Sequence, residues 1–491
     1  MSTPFSVVLV TVDCLRADHV GFLGYGRPTT PFLDSLVHES FVVPSTIVGG
    51  VPTYYSFPAI FASRHPLAMG RDLVGIAPEE TTLTTCFKQS GYATAGFVAA
   101  NPYVSSKFGY DQGFDMFRDF LDHPVTTIDT GSGGRRRKVN RAIERFCRGL
   151  GPLEAIYDEL YFQYCQRVVP HVPSADSLRQ YPAADVVVDS ARKWLTSVGS
   201  EPFFLWLHLM DPHAPYYPGE PALRSFGART MSPSRARYLN SFWNRSDIGP
   251  NRLKLKRDTV LDLYDAGIRW VDVQMARLVE SLKSLDVWDR CALALTADHG
   301  EEFLEHGGRF HAPGTMKEEL IHVPLLVRIP GISGGEVSRQ PFSHLDLAPT
   351  LMEALNLPIP DAFRGRSRWR EWRHRDDREQ VAIVESAECI NPNRAEERLA
   401  PRALCVRGER YKLVLHFAPN TVELFDLYED PAEIQPLPDD VETNTRRRLL
   451  EYARQHIELN SMPRASTFWL RARLRELRFN LPEAACVESH N

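Results

Sequence analysis

The stretch Ala292–Gly307 reads ALALTADHGEEFLEHG. Its apolar opening, Ala292–Leu295, has the texture of a buried parallel strand. The run stops at Thr296-Ala297-Asp298-His299-Gly300, a polar turn. In open α/β sheets, ligands sit beyond the carboxyl ends of strands, so Asp298 and His299 stand where chemistry is done. A carboxylate beside an imidazole is a mixed O/N donor pair suited to a divalent metal. A capped turn with a solvated acid has the same local sequence, so the rest of the chain must supply matching groups.

It does so first at the N-terminus. Phe5–Val12, FSVVLVTV, is β-branched and continuous, as a central strand would be, and it ends at Asp13. Thr30–Val37 then has helical spacing. Phe203–Met210, FFLWLHLM, is a third apolar run, ending in Asp211-Pro212-His213. The prolines around His213 fix a turn that would hold it at the same sheet edge, where a histidine suits a general acid or an oxyanion donor. His208, inside the run, reads as a core histidine. The Gly49–Pro58 segment, GGVPTYYSFP, presents Thr53 and Ser56 before an apolar helical run. Either hydroxyl would cap the helix, or act as a nucleophile where the helix amides and dipole steady an oxyanion.

The remaining elements complete an alternating pattern. Ala93–Val98 and His322–Val327 read as strands, Leu261–Leu285 and Phe342–Leu355 as helices. Residues 221–255 and 364–380 are charged and read as surface excursions. Val125–Arg141 carries the basic run GGRRRK and reads as an exposed insertion. Beyond residue 380, Val381–Glu385, Ala403–Arg407, Tyr411–His416 and Glu423–Leu427 are short strands of a small antiparallel sheet. Asp439–Leu459 follows as a helix, and Thr467–Phe479 as a basic amphipathic tail. The expected architecture is therefore α/β: a large doubly wound, mostly parallel sheet flanked by helices, over residues 1–375. A C-terminal α+β subdomain would occupy residues 376–491.

Composition bounds the function. With 491 residues and 24% charged, the chain is ordinary globular material. A net charge of −5 gives no field that would draw nucleic acid. No apolar run reaches the ~20 residues of a membrane span. No secretory leader is visible, and the cysteines lack CxxC spacing, which fits reduced thiols in a cytoplasm. The composition is compatible with a homo-oligomer.

Several motifs then occur together and in order: VVLVTVDCLRADHVGFLGYGRPTTPFLDSL, HLMDPHAPYYPG, TADHGEEFLEHG, HVPLLVRIPG, HLDLAPTLMEALNLP and YKLVL…ELFDLYEDPAE. This series resembles the sulfatase family of the alkaline-phosphatase-like superfamily over roughly residues 5–435. The resemblance implies a divalent metal ion, such as calcium, manganese or zinc, held by Asp13, Asp298 and His299. It also implies a small-molecule, glycan or lipid sulfate or phosphate ester as substrate. His213 and His311 match residues that act on the ester, and Lys317 lies in the segment that contacts its oxygens. Asp-His, in place of Asp-Asn, is also seen in phosphodiesterase- and phosphonate-hydrolase-like members. Cys14 stands where many sulfatases carry a second aspartate.

The departure is at the nucleophile. Sulfatases use a Cys or Ser in C/S-x-P-x-R, converted to formylglycine. Counting back from Ala62-Ser63, that position falls on Thr53, with Tyr55 and Phe57 at the Pro and Arg positions. No formylglycine is therefore expected. Thr53 would act as the hydroxyl nucleophile, with Ser56 as a substrate contact or alternative. The rival readings are a phosphodiesterase or phosphonate hydrolase, a phospho-group transferase of the same fold, and a non-catalytic binder of sulfated or phosphorylated ligands.

Overall fold

The computed structural model describes residues 5–66, 75–122, 152–168, 175–199, 201–226, 231–374, 376–387, 402–417 and 420–460. The basic Val125–Arg141 run and the Thr467–Phe479 tail lie outside them. The chain builds a nine-stranded mixed sheet. Its strands are β1 (Ser6–Val12), β2 (Phe41–Ile47), β3 (Ala93–Val98), β4 (Met116–Arg118), β5 (Phe203–Leu209) and β6 (Cys291–Ala297). A small hairpin, β7 (Glu302–Phe303) and β8 (Arg309–Phe310), interrupts the series. Then come β9 (His322–Arg328), β10 (Gly335–Glu336) and β11 (Phe342–Ser343). The order is β10-β2-β9-β6-β1-β5-β3-β4, with β11 also on β2. Only β9 runs antiparallel to its neighbours.

β1 is the middle strand, parallel to β5 and β6. Both faces of the sheet are covered, so its strands carry no polar alternation. Val8, Val10 and Val12 face one apolar cluster, with Leu263, Tyr264 and Ile268 of the Pro250–Ser284 helix. Val7 and Leu9 face the other, with Phe57, Ile60 and Phe61 of the Thr53–Ala62 helix. This period-2 division of β1 between two helical layers is what a doubly wound sheet requires.

Four further strands, β12 (Ala382–Ala387), β13 (Arg402–Arg407), β14 (Tyr411–His416) and β15 (Thr421–Asp426), form an antiparallel sheet in sequence order. Leu404, Leu413 and Leu415 pack under the Thr443–Asn460 helix, while Cys405, Val414 and Phe425 join the main core.

Two segments depart from the surface excursions expected of them. Residues 221–255 contain the Pro233–Trp243 helix and the start of the long helix, which begins at Pro250. Trp243 and Phe242 are buried there, so a polar, arginine-rich sequence conceals an apolar stripe. The charged 364–380 segment contains the Trp369–His374 helix, whose two tryptophans pack on Phe41 of β2. No helix among the described residues is long and apolar enough to cross a membrane.

Candidate active site

The register of the central strands creates the site. Val12 of β1 pairs with Ala297 of β6 and Leu209 of β5. The next residues, Asp13 and Asp298, must therefore emerge side by side. Both are fully buried. His299 follows, with Nε2 3.5 Å from Asp298 Oδ2 and 3.9 Å from Asp13 Oδ1. Ligand atoms of Asp13, Asp298 and His299 all lie within 4.8 Å of one another.

The imidazole is oriented from behind. His299 Nδ1 lies 2.8 Å from the Gly300 carbonyl, to which it donates. That tautomer turns the Nε2 lone pair toward the two carboxylates, the arrangement a metal-ligating histidine adopts. Burial, then His311 nearby, push the His299 imidazole down to about 4, so it stands neutral. Burial, reinforced by Asp13, pushes Asp298 up to about 7. Its Oδ2 is buried with no hydrogen-bond partner. Two buried carboxylates, one with an oxygen that lacks a hydrogen bond, and an imidazole Nε2 turned toward them fit a divalent cation by donor chemistry.

Thr53 is the first residue of its helix, following Pro52. Its Oγ1 lies 3.0 Å from His299 Nε2. The loop before it is tied to β12, because Glu385 N donates to the Gly49 carbonyl at 3.0 Å. Thr53 is thus placed by a strand end, a loop and a helix N-terminus together.

His213 and His311 face the cluster from its mouth. Their rings are 5.2 Å apart, and His311 is 4.5 Å from His299. Both line a cleft of about 440 Å³ with Tyr217, Asn240, Asn244 and Phe310. His311 Nδ1 is 3.2 Å from Glu301 Oε1. Burial lowers the His311 imidazole, but Glu301, Asp13 and Asp298 together outweigh it and raise it above the ordinary value.

Cys14 sits at φ +61, a left-handed conformation that costs a non-glycine residue ~1–2 kcal/mol. Its carbonyl accepts from the Tyr264 hydroxyl at 2.6 Å, and Arg16 N donates to the same hydroxyl at 3.0 Å. Its Sγ points inward, 3.1 Å from Asp13 Oδ1 and 3.5 Å from His311 Nδ1. Gly300 packs against the Glu319 backbone, where an added Cβ would lie 1.9 Å from the carbonyl oxygen.

The family model for Sulfatase matches residues 6–357. The chain belongs to the sulfatase family. A second model, N-sulphoglucosamine sulphohydrolase C-terminal, matches residues 305–458. Arylsulfatase K of Xenopus laevis is 29% identical over 206 residues, 37% of this chain and 38% of that protein. The dog enzyme, arylsulfatase K of Canis lupus familiaris, is 24% identical over 283 residues, half of each. The match thus spans half or less of these relatives. The multifunctional alkaline phosphatase superfamily protein PehA of Trinickia caryophylli is 23% identical over 490 residues, 89% of this chain and 91% of that one. Among solved structures, the phosphonate monoester hydrolase of Agrobacterium radiobacter shares the fold at TM-score 0.65 and 20% identity. That alignment covers 93% of this chain and 95% of the other.

As a sulfatase-family chain, this protein brings Asp13, Asp298, His299, Thr53, His213 and His311 together. It does not bring Ser56 or Lys317 with them. Ser56 Oγ donates to the Asp298 carbonyl at 2.5 Å and is fully buried, so it braces the turn. Lys317 Nζ donates to the Glu433 carbonyl at 3.2 Å and lies 4.3 Å over the Phe425 ring. It belongs to the seam with the C-terminal sheet. His208 is buried as expected of a core residue, yet it is not inert. Its Nδ1 is 3.0 Å from Thr11 Oγ1 and its Nε2 3.4 Å from Asp13 Oδ2.

Sequence reading missed two partners. Asn101 Nδ2 donates to Asp13 Oδ2 at 2.9 Å, and the fully buried Glu301 leaves Oε2 without a hydrogen bond. Asn101 is the first polar residue past β3, after Ala99 and Ala100, and that position was the available signal. Glu301 lay two residues past His299 with nothing local to distinguish it from Glu302.

Proposed function

We propose that this chain is a metal-dependent ester hydrolase that cleaves a sulfate or phosphate ester, with Thr53 as its nucleophile. The observation that carries the reading is the Thr53 hydroxyl, 3.0 Å from His299 Nε2 and beside two buried acids, at a helix N-terminus. Asp13, Asp298 and His299 would hold the divalent ion, which when bound supplies charge that polarises the ester and lowers the hydroxyl pKa. Calcium, manganese or zinc would suit these donors.

The roles of the chain's own groups follow from placement. Thr53 loses its hydroxyl proton to solvent water and attacks sulfur or phosphorus in line as the bond to the leaving oxygen breaks. A water molecule then displaces Thr53 from that atom and restores the hydroxyl. His213, at the cleft mouth, gives that oxygen a proton. His311, held by Glu301, faces the nonbridging oxygens as a cation donor. Asn101 and His208 hold Asp13 in place, and Ser56 holds Asp298.

A phosphoester or phosphonate substrate is the narrower reading, and two observations favour it. A threonine ester of phosphate can be cleared by water, whereas a sulfated threonine resists attack at sulfur. A relative that spans 89% of this chain is an alkaline phosphatase superfamily protein. Cytoplasmic residence is consistent with the free, buried Cys14, Cys86, Cys291 and Cys405.

The test is turnover of matched aryl sulfate, phosphate monoester, phosphodiester and phosphonate substrates after metal reconstitution. Thr53→Ala should lower kcat/KM by roughly 10³-fold or more on the best substrate. Full activity in Thr53→Ala would remove the nucleophile assignment. Absence of turnover on all four, with no divalent ion bound, would favour a binding protein.

A further inference from the structure

A second donor cluster lies away from the strand ends. His65 follows the Thr53–Ala62 helix, Glu385 is on β12, and His456 is on the Thr443–Asn460 helix. One donor atom from each lies within 4.8 Å of the others. Glu385 is 3% exposed and His456 5%. Glu385 Oε1 is 2.8 Å from His456 Nε2. The His65 ring packs edge-on against His456, with centroids 4.2 Å apart. Its Nδ1 is buried with no hydrogen-bond partner. One imidazole therefore pairs with the carboxylate, and a second lies beside the pair with one buried ring nitrogen bare. Burial, with His456 beside it, pushes the His65 imidazole down to about 3, leaving its lone pair free at neutral pH.

We propose that His65, Glu385 and His456 form a second divalent-metal site, one that takes zinc or a similar imidazole-preferring ion. A His₂-carboxylate set matches the ligand chemistry of zinc. At metal–ligand bonds of ~2.0–2.2 Å the donor atoms sit roughly 3.5 Å apart, so Glu385 Oε1 and His456 Nε2 must open from 2.8 Å while the wider separations, within 4.8 Å, close. Binding replaces the Glu385–His456 pair with bonds from both side chains to the ion. Arg402 also acts electrostatically on Glu385, so the ion must compete with a fixed cation for that carboxylate. The role is structural. Glu385 N already holds the Gly49 carbonyl, and Gly50 bridges Glu385. An ion here would join three segments distant in sequence, one of them leading out of the Thr53 helix. The proposal does not depend on the hydrolase reading.

The experiment uses the full chain, stripped with chelator and titrated with Co²⁺. Binding is followed by visible d–d absorption and by metal per chain after gel filtration. An Asp298→Asn background removes a ligand of the strand-end cluster. In that background one equivalent of cobalt should remain, and zinc should displace it. Adding His65→Gln or His456→Gln should weaken that binding at least tenfold. Zinc should raise the Tm of the background protein but not of the His65→Gln derivative. Should His456→Gln fail to fold, His65→Gln decides alone, since it leaves the Glu385–His456 pair intact. Unchanged cobalt affinity in the histidine variants would overturn the proposal, as would loss of all binding in Asp298→Asn alone.

Discussion

Two buried clusters of charge in this molecule behave in opposite ways. At the seam with the C-terminal sheet, Lys412 is fully buried, with Nζ 3.1 Å from Glu318 and 2.8 Å from Glu433. Arg407 reaches Glu318 at 3.2 Å, and Glu318 N donates to Glu433 at 2.7 Å. At the strand ends, Asp13, Asp298 and Glu301 are equally buried, Asp298 Oδ2 and Glu301 Oε2 have no hydrogen-bond partner, and among the described residues no lysine or arginine pairs with these acids. Burial raises Glu318, yet Arg407 and Lys412 outweigh it and hold that carboxylate well below its usual range. Burial raises Asp298 too, and Asp13 reinforces it, so Asp298 stands at about 7. The protein completes the seam with its own cations. It leaves the strand-end acids without such partners, so the burial that is compensated at the seam stays uncompensated there.

The contrast can be broken at four points. Asp298→Asn should cut turnover by roughly 10³-fold or more while leaving the Tm unchanged or higher, because it removes unbalanced buried charge. A large fall in Tm beside the lost activity would show that the strand-end acids are structural after all. Lys412→Met should do the reverse. Urea unfolding should show about 3–5 kcal/mol of lost stability, from two carboxylates left without their cation, with activity per folded molecule retained. A smaller loss would mean that the seam tolerates unpaired charge.

His213→Gln sharpens the functional side. Esters with alkoxide leaving groups should slow by roughly 10²-fold, and nitrophenyl esters by far less, since a good leaving group needs no proton. Equal slowing of both would move His213 from proton donor to positioning. The smallest effect is in pH. Glu318 has a folded pKa below its ordinary value of 4.5. Its contribution is therefore complete above that value and is lost as pH falls through the folded one. The gap in urea midpoint between wild type and Glu318→Gln should narrow from about pH 5 to about pH 3. A gap that stays constant would show that the charge is not what stabilises the seam.

Much of the site was legible because parallel strands buried on both faces read as unbroken apolar runs. The first polar residue past each run marks the sheet edge, and Asp13 and Asp298 were read that way, while His213 was read from the proline turn just past Asp211. The sulfatase resemblance then singled out Thr53 and His311. Direction was not legible. Ser56 is three residues past Thr53, yet it faces the Asp298 carbonyl. Lys317 faces the seam. His208 looked inert inside FFLWLHLM because its partner, Asp13, is far away in sequence and is brought beside it only by the β1–β5 register. Helices hidden in arginine-rich text escaped for a related reason. Trp243, Trp369 and Trp372 carry their burial, and a few large rings leave a weak periodic signal among many charges.

Gly300 adds something of another kind. The Asp-His-Gly triplet is naturally read for its two chemical letters, but an added Cβ at the third would meet the Glu319 carbonyl oxygen at 1.9 Å. Every other amino acid brings that atom. The position therefore has no gentle substitution, and its constraint is independent of substrate or metal. A variant of this chain selected for a new ester could exchange the acids or the hydroxyl and still fold its turn, whereas a change at Gly300 moves the imidazole that Gly300 itself anchors. The part of the site least open to redesign is the one that carries no functional group.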